Sequence, residues 1–149
     1  MEELGFVGGT FFSASGRAAR RRAITCSAEG EVKSVRGVQQ YVDVTRKENF
    51  SVVMFESASC RACKDMRYHL SMLADEHPDK NFFTMDVEEN KSLCRELGIK
   101  HLPSFHFYTL QDNNPGTLEN FATSSARKVR DKLSEYSRGK FDIKDFRFV

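Results

Sequence analysis

The chain has no tryptophan, so its 13 phenylalanines carry much of the aromatic bulk. It also has little net charge: 23 basic and 21 acidic residues leave +2 at neutral pH. That balance gives no electrostatic footprint for nucleic acid. No apolar run approaches the ~20 residues that a membrane-spanning helix needs. Cysteine is sparse as well, with four residues and only two of them close together. This excludes a small disulfide-stapled secreted scaffold and suits a reducing compartment with one reactive pair. The four histidines, His69, His77, His101 and His106, show no ligand spacing and are expected at solvent or at edges. At 149 residues the chain suits one domain with residues to spare. No internal repeat is visible.

What is present centres on Ser57 to Lys64, S-A-S-C-R-A-C-K. Phe50 to Glu56 precedes it, nearly continuous in apolar character at Val52, Val53, Met54 and Phe55. Such a run suits a central strand covered on both faces. After it, Cys63, Met66, Leu70 and Leu73 recur three, four and three apart, which predicts one face of a helix from Cys60 to about Glu76. His77-Pro78 supplies its stop. Cys60 and Cys63 therefore fall where a buried strand turns into a helix. The first helical turn offers unpaired N–H groups and the positive end of the macrodipole. Both stabilise a thiolate, the reactive form of cysteine. Cys60, nearer the helix start and more exposed, is the expected attacking sulfur. Cys63 begins the buried stripe and is the expected resolving sulfur. The exposed cations Arg61 and Lys64 sit beside Cys60 and favour its thiolate. The same C-x-x-C spacing also serves as half of a zinc site. A tetrahedral site needs two more ligands, and Cys94 and His101 are the only nearby candidates in sequence.

The remaining pattern is alternating. Glu31 to Arg36 supplies a short strand, and Val38 to Asn49 a helix with Val38, Tyr41, Val42 and Thr45 on its apolar face. Asn81 to Val87 is a strand with Phe83, Met85 and Val87 on one side. Glu88 to Leu97 is a short helix with early acids, Cys94 buried within it, and Gly98 just past its end as a left-handed cap. Ser104 to Thr109 is a strand, Asp112 to Gly116 a turn cluster, and Thr117 to Phe121 a hairpin arm. Thr123 or Ser124 caps a last helix to about Tyr136, with Val129 and Leu133 inward and Gly139 at its end.

This order of elements, with C-x-x-C at a strand–helix junction and H-L-P-S-F-H-F-Y from His101 to Tyr108, resembles the thioredoxin family over roughly Glu31 to Arg138. Glu88 to Pro103 looks most like the plastid atypical Cys/His-rich thioredoxins. The resemblance implies an α/β fold with a mixed central sheet of four or five strands and helices on both faces. It implies thiol–disulfide exchange on protein clients through Cys60 and Cys63, without a cofactor. Electrons would come from a reductase or a small thiol, and the protein is expected to be a monomer. Pro103 resembles the family's cis proline, so Leu102 and Pro103 would dock an extended client segment beside Cys60, bordered by His101. The chain departs from the family at Arg61-Ala62 in place of Gly-Pro, and at Met54 in place of a buried Asp. It also has Ser59 for Trp, Tyr68 for Pro and Ala122 for Gly. Two other readings are an interaction module with little turnover and a metal or cluster carrier using the two cysteines.

The ends have a different character. Residues 1–30 carry Arg17, Arg20, Arg21 and Arg22 with serines, and no acid between Thr10 and Ala28. That composition suits an organelle transit peptide or a disordered basic arm, and the resemblance to plastid thioredoxins implies plastid ahead of mitochondrion. Glu2 and Glu3 run against it. Cys26 is given no role. Residues 139–149 form a Phe-rich extension in which Phe141, Ile143, Phe146 and Phe148 alternate with charges.

Overall fold

Val52, Val53, Met54 and Phe55 are all fully buried, although successive strand residues face opposite ways. Both faces of this strand must therefore be covered. A computed structural model of the protein, describing residues 31–111 and 114–138, shows how. The strands are β1 (Val32–Val35), β2 (Phe50–Glu56), β3 (Asn81–Asp86), β4 (Ser104–Gln111) and β5 (Asn114–Ala122). The helices are α1 (Gly37–Lys47), α2 (Arg61–Glu76), α3 (Lys91–Glu96) and α4 (Ala126–Ser137). The five strands lie in the order β1-β3-β2-β4-β5. β1 and β2 run parallel to β3, while β4 runs antiparallel to both β2 and β5. The sheet is mixed, with helices on both faces, as expected.

Each face has its own core. Met66, Leu70, Leu73 and Ala74 of α2, with Val129, Leu133 and Tyr136 of α4, close over Val52, Met54, Phe82, Phe105, Phe107 and Leu118. On the other face Tyr41 of α1 and Leu93 and Cys94 of α3 meet Val53, Phe55, Phe83, Met85 and Tyr108. Burying one Leu or Phe side chain stabilises by roughly 1.5–3 kcal/mol, so these two layers dominate the folding energy.

Several details differ from the sequence expectation. In α1, Val38 is 56% exposed, and Val44 packs on the core instead. Gly37 opens that helix at the left-handed φ of +75°. Phe82 is buried along with Phe83, because both faces of β3 are covered: Phe82 lies in the core under α2 and α4, and Phe83 in the core under α1 and α3. The helix expected from Glu88 begins only at Lys91. Before it, the Asn90 amide donates to the Asp86 carbonyl at 2.8 Å and accepts from the Gly37 N–H at 2.8 Å, holding a turn. Gly98 does have the left-handed φ of +70°. The expected turn cluster is already strand from Asn114 onward, with Pro115 opposite Leu110. β5 is an edge strand, and an edge tolerates a residue without an N–H. Residues 1–30 and 139–149 lie outside the described residues, so the expectations for them, and for Gly139 as a helix stop, lie outside too.

Candidate active site

α2 starts where β2 stops. Between them the chain bends, and the Cys60 N–H donates to the Ser57 carbonyl at 3.0 Å. Cys60 is the N-cap residue, with extended backbone (φ −81°, ψ 108°). Its sulfur accepts a hydrogen bond from the Cys63 N–H at 3.2 Å. A sulfur thus takes the place that a hydroxyl or carboxylate oxygen usually fills at a helix start. Cys60 and Cys63 are joined as a disulfide, with Cα atoms 5.3 Å apart. Cys60 is half-buried while Cys63 is 1% exposed. The difference in access follows from the stripe: Cys63 shares its helix face with Met66 and Leu70.

When the disulfide opens, negative charge on Cys60 meets the Cys63 N–H and the helix N-terminus. Arg61 and Lys64 are both exposed on the first turn of α2 and add positive potential there. The Ser57 and Ser59 hydroxyls lie 2.9 Å apart within the bend, with Ser57 buried.

Pro103 reaches this site from another strand. Ser104, first residue of β4, is paired with Phe55 near the end of β2, so Pro103 falls at the sheet end where the cysteines sit. The Leu102–Pro103 peptide is cis. Pro103 is buried, its carbonyl accepts the Thr123 N–H at 3.0 Å, and Leu102 is half-buried against the α1/α3 core. His101 is exposed just before it. The register thus places Cys60, Cys63, Arg61, Lys64, Leu102 and Pro103 at one end of the molecule.

His106 is a correction: it was expected at solvent or an edge and is 3% exposed. Its position two residues into β4 points it at the inner layer, where it stacks edge-on against Phe55 at 4.7 Å. Nδ1 lies 2.9 Å from the Tyr108 hydroxyl, which in turn bonds the Tyr41 hydroxyl. Burial pushes its pKa down to about 4, so the ring is neutral at pH 7. Burial pushes both tyrosines well above their usual range. Cys94 is buried as expected. Burial first, then the charge of Asp86, raises its thiol to about 11, so it stays protonated. Among the described residues, no group of three or more His, Cys, Asp or Glu side chains is disposed to hold a metal ion.

The sequence reading missed Glu56. The last residue of β2 is buried, and its carboxylate takes two hydrogen bonds from Arg67 of α2, at 3.0 Å from Nε and 2.6 Å from a terminal guanidinium nitrogen. The available signal was an acid closing an apolar strand and a cation one helical turn beyond Cys63.

Comparison with known proteins agrees with this geometry. A family model described as Thioredoxin matches residues 32–134. The rice protein Thioredoxin-like 2, chloroplastic (Oryza sativa subsp. japonica), is 31% identical over 113 residues, covering 73% of this chain and 51% of its own length. Thioredoxin-like 2-2, chloroplastic, from Arabidopsis thaliana is 38% identical over 87 residues, covering 58% of this chain and 35% of its own length. The chain therefore spans about half or less of these curated relatives. The crystal structure of thioredoxin from Trypanosoma brucei brucei superposes with a TM-score of 0.67 at 19% identity, over 76% of this chain and 96% of that one. At that identity the likeness speaks for the fold alone. With the matched span running from β1 into α4, the chain belongs to the thioredoxin family.

Proposed function

We propose that the protein is a thiol–disulfide oxidoreductase that exchanges its Cys60–Cys63 disulfide with protein clients. The observation that carries this reading is the half-buried Cys60 sulfur at a helix N-terminus, bonded by the Cys63 N–H and tied to a buried partner. In the reducing direction the Cys60 thiolate attacks one sulfur of a client disulfide. A Cys60–client disulfide forms and the other client sulfur leaves as a thiolate. Cys63 gives up its proton and attacks Cys60. The client leaves with both sulfurs reduced, and this protein is left oxidised. Two electrons from a reductase or a small thiol restore the dithiol. Leu102 and Pro103 line the client's approach, and their backbone offers an extended segment a place to pair.

The chloroplastic names of the relatives support a plastid setting, and the Arg- and Ser-bearing, acid-poor composition of residues 1–30 supports a targeting role for them. An insulin-reduction assay with dithiothreitol, run beside a metal measurement on the same preparation, tests the activity. Turnover without bound metal is the expected result. Metal-free protein without turnover supports an interaction module, and stoichiometric metal without turnover supports a carrier.

A further inference from the structure

Among the described residues Glu56 is the one carboxylate that is buried. Its strand position is informative. Val52, Met54 and Glu56 share parity on β2, and Val52 and Met54 belong to the layer under α2. Glu56 thus closes the same face, at the end where Cys60 and Cys63 lie. Its partner Arg67 is on α2, four residues after Cys63. Side chains so spaced are neighbours, with Cβ atoms roughly 5–6 Å apart. The other groups around Glu56 are committed elsewhere. Its own carbonyl accepts the Val87 N–H at 2.9 Å. Asp86, its register partner on β3, accepts the Glu88 N–H at 2.7 Å. The Glu56 side chain is 7% exposed and that of Arg67 58%. A carboxylate so deeply placed is costly unless it is paired.

We infer that Glu56 and Arg67 form a positioning pair for the cysteine couple: Arg67 neutralises the buried carboxylate, and together they fix the charge felt at Cys63 and Cys60. This rests on the redox reading above. Reduction converts an uncharged disulfide into a thiolate and a thiol, so any unbalanced charge beside the pair shifts that equilibrium. Removing the acid leaves the Arg67 cation unbalanced and stabilises the reduced form. Removing the cation leaves the buried carboxylate unbalanced and opposes it. A merely structural clamp has no such sign: losing either half loosens the same contact.

The test is a titration at pH 8 of the full chain against glutathione, with the Cys60–Cys63 state read by thiol alkylation and folding by circular dichroism. Glu56→Gln should ease reduction by about fivefold to tenfold in the exchange constant, and Arg67→Gln should oppose it by a similar factor. Glu56→Gln with Arg67→Gln should return close to wild type, and Arg67→Lys, which keeps the charge, should do the same. Shifts of the same sign, or none in a folded variant, overturn the inference and leave the redox reading intact. A wild-type pair that never equilibrates with glutathione overturns both. If Arg67→Gln does not fold, Glu56→Gln against Arg67→Lys decides alone: no easing in the first overturns the pair.

Discussion

The Cys63 N–H points at the Cys60 sulfur across 3.2 Å, so the residue proposed to resolve the exchange also steadies the sulfur proposed to begin it. One turn of helix provides both services. Arg61 between the two sulfurs and Lys64 after them add positive charge on the exposed side.

These cations set an expectation for the redox potential. The family's rigid Gly-Pro is absent, and Met54 stands where the family commonly has a buried acid. Both features favour the thiolate and hence the reduced form. We predict a potential some tens of millivolts less negative than the roughly −270 mV of thioredoxin, where 30 mV is about 1.4 kcal/mol. Arg61→Gly with Ala62→Pro should move it back downward. A titration in a glutathione or dithiothreitol buffer, read by alkylation because the chain has no tryptophan, checks this. A value at or below that of thioredoxin contradicts it.

His106 makes stability depend on pH. Its folded pKa of about 4 lies below the unfolded value of about 6.5. The unfolded chain therefore binds this proton first as pH falls. The stability of the neutral ring is whole above pH ~6.5 and is lost progressively down to pH ~4, for a total of about 3 kcal/mol. Urea unfolding from pH 7.5 to 4 should show a steeper loss for wild type than for His106→Gln, which cannot titrate. Parallel curves would show that this ring does not titrate on unfolding.

Much of this was legible in the sequence. The apolar run of β2, the three-four-three stripe of α2 and the C-x-x-C between them need only local pattern, and all three formed as read. Gly98 was legible because a left-handed cap asks for glycine. What failed depended on neighbours distant in the chain. His106 looks polar in sequence, yet pairing of β4 beside β2 carries it under α1, where the Tyr108 hydroxyl, itself bonded to Tyr41, satisfies it. Glu56 looks like a strand end at solvent until Arg67 folds over it. The late start of α3 depends on Asn90 bridging to Gly37, 53 positions away.

The corrected face of α1 gives a stability contrast. Val38→Ser, at an exposed position, should change stability by no more than about 0.5 kcal/mol. Leu70→Ala, at a fully buried position of α2, should cost about 2–5 kcal/mol. Denaturant midpoints of the two variants measure both. A Val38→Ser cost approaching that of Leu70→Ala would return Val38 to the core.

The roles of the two sulfurs are the centre of the account, and trapping tests them most directly. Clients are incubated with Cys63→Ser or Cys60→Ser protein, and covalent adducts are resolved without reductant. Cys63→Ser should hold a mixed disulfide through Cys60, because the sulfur that would release the client is gone. Cys60→Ser should hold none, because Cys63 is buried. Equal trapping by the two variants, or trapping by Cys60→Ser alone, would contradict the account.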